Sequence, residues 1–111
     1  MKLKFFIEYD GTQYSGWQKQ NNAKTVQGTL IKAIETAFSK SKGKSKFMDF
    51  QGSGRTDSGV HAIEQVAHLE CETMIAPHIL KIKINDELPS DINILEIEKA
   101  DNRFHARHSA E

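Results

Sequence analysis

Asp57 is the residue from which chemistry can be argued. It stands in Gly52-Ser53-Gly54-Arg55-Thr56-Asp57-Ser58-Gly59-Val60-His61-Ala62, a run with three glycines and with an arginine two positions before the carboxylate. Glycine tolerates sharp turns and close backbone approach, so a ligand can sit against such a segment. A carboxylate suits the work of a nucleophile or a base. Either role needs the ionised form, and an arginine within about 4–6 Å lowers a carboxylate pKa by roughly 1–3 units. The competing assignment for Asp57 is a turn former whose carboxylate caps its own backbone.

Several chemistries are excluded by spacing. Gly52-x-Gly54 has neither the third glycine of a dinucleotide fingerprint nor the Gly-Lys-Ser/Thr of a P-loop. His61 and His68, seven apart along a strand, fall on opposite faces, and His105 and His108 have no accompanying cluster, so no metal site is expected. Asp57-Ser58-Gly59 is the triplet of aspartic proteases, but those enzymes place two apolar residues before the aspartate, where this chain has Arg55-Thr56.

The elements that must present Asp57 follow from periodicity. Leu3, Phe5, Ile7 and Tyr9 alternate with polar neighbours as a half-buried strand that ends at Asp10-Gly11. A loop carrying Tyr14 and Trp17 comes next. Its aromatics either cap the core or offer a surface on which bases stack. Thr25 is a plausible cap for a helix with Val26, Leu30, Ala33, Ile34, Ala37 and Phe38 on one face. Gly28 in its first turn costs about 1 kcal/mol against alanine and implies close packing. Ser39 to Lys46 is a basic low-complexity loop, either a solvated connection or a phosphate contact. A short strand, Phe47 to Gln51, delivers the Asp57 loop. Ile63 to Cys71 is another, with Ile63, Ala67, Leu69 and Cys71 on one face, interrupted by Gln65. Pro77 starts a helix to Glu87, Leu88-Pro89 stops it, and Ile92 to Glu98 is the last strand. The fold class is α+β, a ferredoxin-like βαββαβ arrangement: an antiparallel sheet with both helices on one face and the other face free.

Three runs carry a family resemblance: Gly54-Arg55-Thr56-Asp57-x-Gly59-Val60-His61-Ala62, Tyr9-Asp10-Gly11-Thr12-x-Tyr14-x-Gly16-Trp17-Gln18 with Thr25-Val26-Gln27-Gly28, and Phe104-His105-Ala106-Arg107-x-Ser109-Ala110. Together they resemble the tRNA pseudouridine synthase A family over essentially the whole chain. Ser58 stands where alanine is more usual. The resemblance implies that Asp57 is the catalytic carboxylate and Arg55 its RNA-facing companion. It implies RNA contacts from Gly54, Thr56, His61, Tyr14, Trp17, Gln18 and Arg107, tRNA as partner, and no cofactor. It covers only about the first half of a family member: residues 1–98 are the catalytic half and 99–111 lead toward a missing second half. The family's active-site tyrosine, which follows the Phe-His-Ala-Arg segment, is absent, so this chain alone is expected to be weakly active or inactive, and prone to dimerise. The alternative is a ferredoxin-like RNA-binding module without chemistry.

The totals set limits. At 111 residues a single domain with a real core is possible. Fifteen basic and fifteen acidic residues cancel, a poor match to the basic footprint of a nucleic-acid binder, so any RNA contact must come from local clustering. The single cysteine, Cys71, excludes an internal disulfide. With no leader and no span of membrane length, cytoplasm is the expected location.

Overall fold

The computed structural model describes residues 1–57 and 62–100, with side chains at all of these except 54–57 and 62. Four strands and two helices follow in the order β1 (Lys2–Asp10), α1 (Val26–Lys40), β2 (Lys46–Asp57), β3 (Ala62–Glu72), α2 (Pro77–Asn85) and β4 (Ile92–Ala100). The sheet order is β2-β3-β1-β4, and every neighbouring pair is antiparallel. This is the ferredoxin-like order expected from the sequence.

The alternation of β1 is realised residue by residue. Leu3, Phe5, Ile7 and Tyr9 are buried, and Lys4, Phe6 and Glu8 between them are half-exposed. The buried row joins Leu69, Ala67, Ile97, Ile94 and Ile92 from the flanking strands. Both helices close over this one face, α1 through Val26, Leu30, Ala33, Ile34, Ala37 and Phe38, α2 through Leu80 and Ile84. Helix α1 begins where the sequence places it: the Thr25 hydroxyl accepts from the Gly28 amide at 3.2 Å, the bond an N-cap makes to a first-turn donor. The packing implied by Gly28 is with that same cap, since a Cβ there would lie 3.0 Å from Thr25 Oγ1.

Three expectations are corrected in detail. The Asp57 segment is not a loop from Gly52 onward: β2 continues to Asp57, seven residues past Phe50. Two register shifts, between Phe47 and Asp49 and between Gly52 and Gly54, let the glycine-rich stretch stay on the ladder as bulges, which glycine accommodates. Helix α2 ends at Asn85, where the Asn85 side chain bridges both polar groups of Ile94 on β4. Its apolar stripe is narrower than the isoleucines suggest, because Ile79 and Ile82 face outward, Ile82 at 55% exposure. Strand β4 runs on to Ala100, with Lys99 and Ala100 paired to Leu3 and Lys2.

Candidate functional site

Ser53 decides the register of Asp57. Before the bulge, Phe50 and Gly52 pair with Leu69 and Ala67, members of the core row of β3. An unbroken alternation would continue that row through Gly54 and Thr56. The extra residue moves the pairing by one, so that Arg55 lies opposite Gln65 and Asp57 opposite Ile63. Ile63 pairs in turn with Tyr9, and Tyr9 with Ile92. Asp57 is thus the edge-strand member of a row that crosses the whole sheet through Tyr9.

The same end of the sheet holds the aromatic loop, and that loop is pinned at both backbone and side chain. The carbonyls of Gly16 and Trp17 accept from the Val26 and Gln27 amides at 3.1 and 2.9 Å, satisfying two of the donors that open α1. Gly16 sits at φ 95°, a conformation that excludes most side chains. The Gln27 amide group is buried and links two segments: its Oε1 accepts from the Lys19 amide and its Nε2 donates to the Phe50 carbonyl, each at 2.8 Å. The Trp17 ring then lies 6.1 Å from both Tyr9 and Phe50, and a Cβ at Gly52 would fall 2.7 Å from Trp17 Nε1 and from Gln65 Nε2. Gly52 is therefore required by the close approach of the indole. The Tyr9 hydroxyl is buried and, among the described residues, has no hydrogen-bond partner.

Of the residues singled out from sequence, Gly54, Arg55, Thr56 and Asp57 follow one another along the end of β2, and Trp17 packs against Gly52 just before them. Tyr14 is directed elsewhere: its hydroxyl donates to Asp91 Oδ1 at 2.7 Å and Lys24 Nζ sits 5.0 Å from its ring centre. Burial, then the hydrogen bond and charge of Asp91, push its phenol well above the usual 10, so it stays protonated. These contacts fit the core-capping alternative for the loop aromatics. Gln18 is exposed next to the pinned turn. His61 and Arg107 lie outside the described residues.

Gln65 and Gln27 are both visible in the sequence, but neither is given a supporting role there. Gln65 breaks an apolar row and is only 4% exposed, and Gln27 stands among the apolar residues of α1. Both are polar side chains at core positions, the signal by which they were detectable.

Electrostatics narrow the approach of a polyanion. The sheet face without helices carries Glu8, Glu64, Glu70, Glu72, Glu96, Glu98 and Asp49 against Lys2, Lys4 and Lys46. Phosphates are repelled from such a face. The aromatic loop itself carries the exposed Lys19 and Lys24, the latter with its ammonium over the Tyr14 ring. Among the described residues, no group of His, Cys, Asp and Glu is placed to hold a metal ion.

The profile of the tRNA pseudouridine synthase family matches residues 6–109. A curated tRNA pseudouridine synthase A of Thermodesulfovibrio yellowstonii is 38% identical over 109 residues, covering 98% of this chain and 41% of that protein. Its counterpart in Acetivibrio thermocellus is 44% identical, covering 97% and 42%. A tRNA pseudouridine synthase A 2 of Bacillus thuringiensis is 41% identical, covering 96% and 42%. The chain spans about two fifths of the length of these relatives.

Proposed function

This chain belongs to the tRNA pseudouridine synthase family, and from that premise we propose that it supplies the catalytic N-terminal part of an enzyme converting uridine to pseudouridine in tRNA. Residues 1–98 form that part, 99–111 lead to a second half, and the target uridines lie in the anticodon stem-loop. The observation that supports this proposal is that Gly54-Arg55-Thr56-Asp57 ends an edge strand, just after the Gly52 against which the Trp17 indole packs, and inside the span of the family match.

The reaction breaks the bond between C1′ and N1, turns the base and joins C1′ to C5. The C5 proton leaves and N1 gains one, so the change is an isomerisation that needs no oxidant and no cofactor. Asp57 supplies the nucleophilic oxygen, by attack on C1′ or by addition to C6. A uridine in a stem must first leave the stack at a cost of a few kcal/mol, and Arg55 is the side chain that fills the gap. Gly54 and Thr56 shape the strand around the extruded nucleotide, with Gln18, His61 and Arg107 as further RNA contacts. Among the described residues strand β2 is an edge of the sheet, with no strand beyond it to cover the Asp57 end. For that reason the 111 residues alone turn over feebly and pair between copies through open strand edges. The location is cytoplasmic.

Asp57→Asn in the natural-length protein tests the assignment. Tritium release from tRNA labelled at uridine C5 is expected to vanish while tRNA binding persists. Unchanged release would remove Asp57 from the chemistry and leave the non-catalytic RNA-binding module.

A further inference from the structure

The basic loop lies at the opposite end of the molecule from Asp57. Strand β2 starts at Lys46 and ends at Asp57, and at about 3.3 Å per residue those ends are separated by on the order of 35 Å. The longest extent of the molecule is 39 Å, so the two sites mark its two poles.

The loop is built to hold its lysines out. The Ser41 hydroxyl donates to the Ala37 carbonyl at 2.7 Å, tying the entry to the last turn of α1. Ser45 is hydrogen-bonded to Thr73 at 2.8 Å, tying the exit to the end of β3. Between them Gly43 turns the chain at φ 88°, with the exposed Lys42 and Lys44 on either side of it. Lys40 is committed to Glu87 at 2.9 Å, whereas among the described residues neither Lys42 nor Lys44 has a carboxylate partner. No acidic residue occurs between Glu35 and Asp49, though the chain as a whole is neutral. A merely solvated connection needs neither two anchored ends nor an excess of one sign.

We propose that Lys42 and Lys44, with Lys46 behind them, form a second RNA-contact surface that grips phosphates of the tRNA body far from the target uridine. This rests on tRNA being the substrate. The acidic open face of the sheet repels phosphates between the two poles, so the RNA bridges them rather than lying along the sheet. Contact at two points about 35 Å apart makes the enzyme favour whole tRNA over a short stem-loop.

The test is Lys42→Gln/Lys44→Gln in the natural-length protein, with Lys42→Arg/Lys44→Arg as the charge-preserving control. Binding is measured across salt concentrations for whole tRNA and for a short stem-loop that carries the target uridine. Loss of two phosphate contacts is expected to flatten the slope of log K against log salt by roughly 1.4–1.8 and to weaken whole-tRNA binding roughly tenfold near 0.1 M salt. The short stem-loop is expected to bind within about twofold of the parent, turnover at saturating tRNA to be unchanged, and the arginine variant to behave as the parent. An unchanged slope for whole tRNA overturns the proposal and leaves the loop to solvent or to a protein partner. An equal loss on both RNAs overturns it too, because the lysines would then belong to the Asp57 site. If instead Asp57→Asn kept full activity, the catalytic assignment would fail whatever the lysines do.

Discussion

Gly52→Ala is the sharpest probe of how the site is assembled. A Cβ at this position would lie 2.7 Å from Trp17 Nε1, 2.8 Å from Trp17 Cε2 and 2.7 Å from Gln65 Nε2, inside any tolerable contact. The backbone itself permits alanine, since Gly52 is not among the positive-φ glycines. Two effects then compete. Reduced freedom of the unfolded chain favours alanine by about 0.4–1 kcal/mol. Overpacking costs about 1–3 kcal/mol. The indole cannot simply retreat, because the Trp17 carbonyl is held by the Gln27 amide and its ring is held between Tyr9 and Phe50. The steric term wins, for a net loss of about 1–2 kcal/mol. In a domain of this size that lowers Tm by roughly 5–10 °C. Trp17 is the only tryptophan, so its emission reports the displacement directly and should move to longer wavelength as the ring is forced toward water. An unchanged emission maximum together with an equal or higher Tm would refute the claim that the indole seats on Gly52.

Two further outcomes follow from buried groups. Gln27→Ala strands the Lys19 amide and the buried Phe50 carbonyl. A loss of about 2–4 kcal/mol is expected, seen in urea denaturation as a lower midpoint with the slope retained. Cys71 is fully buried, and burial pushes its thiol up from 9.0 to about 11, with Glu70 adding to the rise and the N-terminal ammonium opposing it. The folded thiol binds its proton more tightly than the unfolded one. Its contribution to stability is therefore constant below pH 9 and falls between pH 9 and 11, as the unfolded thiol ionises first. Iodoacetamide at pH 8 should leave the folded chain unmodified and alkylate it rapidly in urea, and Cys71→Ala should abolish the loss of stability between pH 9 and 11 that is due to this group.

Legibility from the sequence depends on whether a residue's role is set locally. The β1 alternation, the Thr25 cap and the Pro77 start depend on neighbours within a few positions, and all three hold. Gln65 is legible as an exception, a polar residue in an apolar row. The extent of β2 was not legible, because glycines and hydroxyls read as loop unless a partner strand is known to run alongside. Nor was the exposure of Ile79 and Ile82, since α2 rests on β4 with only Leu80 and Ile84 turned inward.

The bulge at Ser53 is the consequential case. A period-two count from Phe50 assigns Gly54 and Thr56 to the core row and leaves Asp57 out of it. One inserted residue reverses the assignment and sets Asp57 in the row of Ile63 and Tyr9. Nothing in the local propensities of Gly52-Ser53-Gly54 distinguishes the two registers. What distinguishes them is distant: Gly52 must take the Trp17 indole while Phe50 takes Phe5, and the hairpin must still close with Asp57 opposite Ile63. The spacing between the motif's glycines and its aspartate is therefore a packing requirement as well as a chemical one. Straightening the bulge with Ser53 kept in the ladder would set Asp57 opposite Ala62, whereas deleting Ser53 would join Gly52 directly to Gly54 and leave Asp57 opposite Ile63.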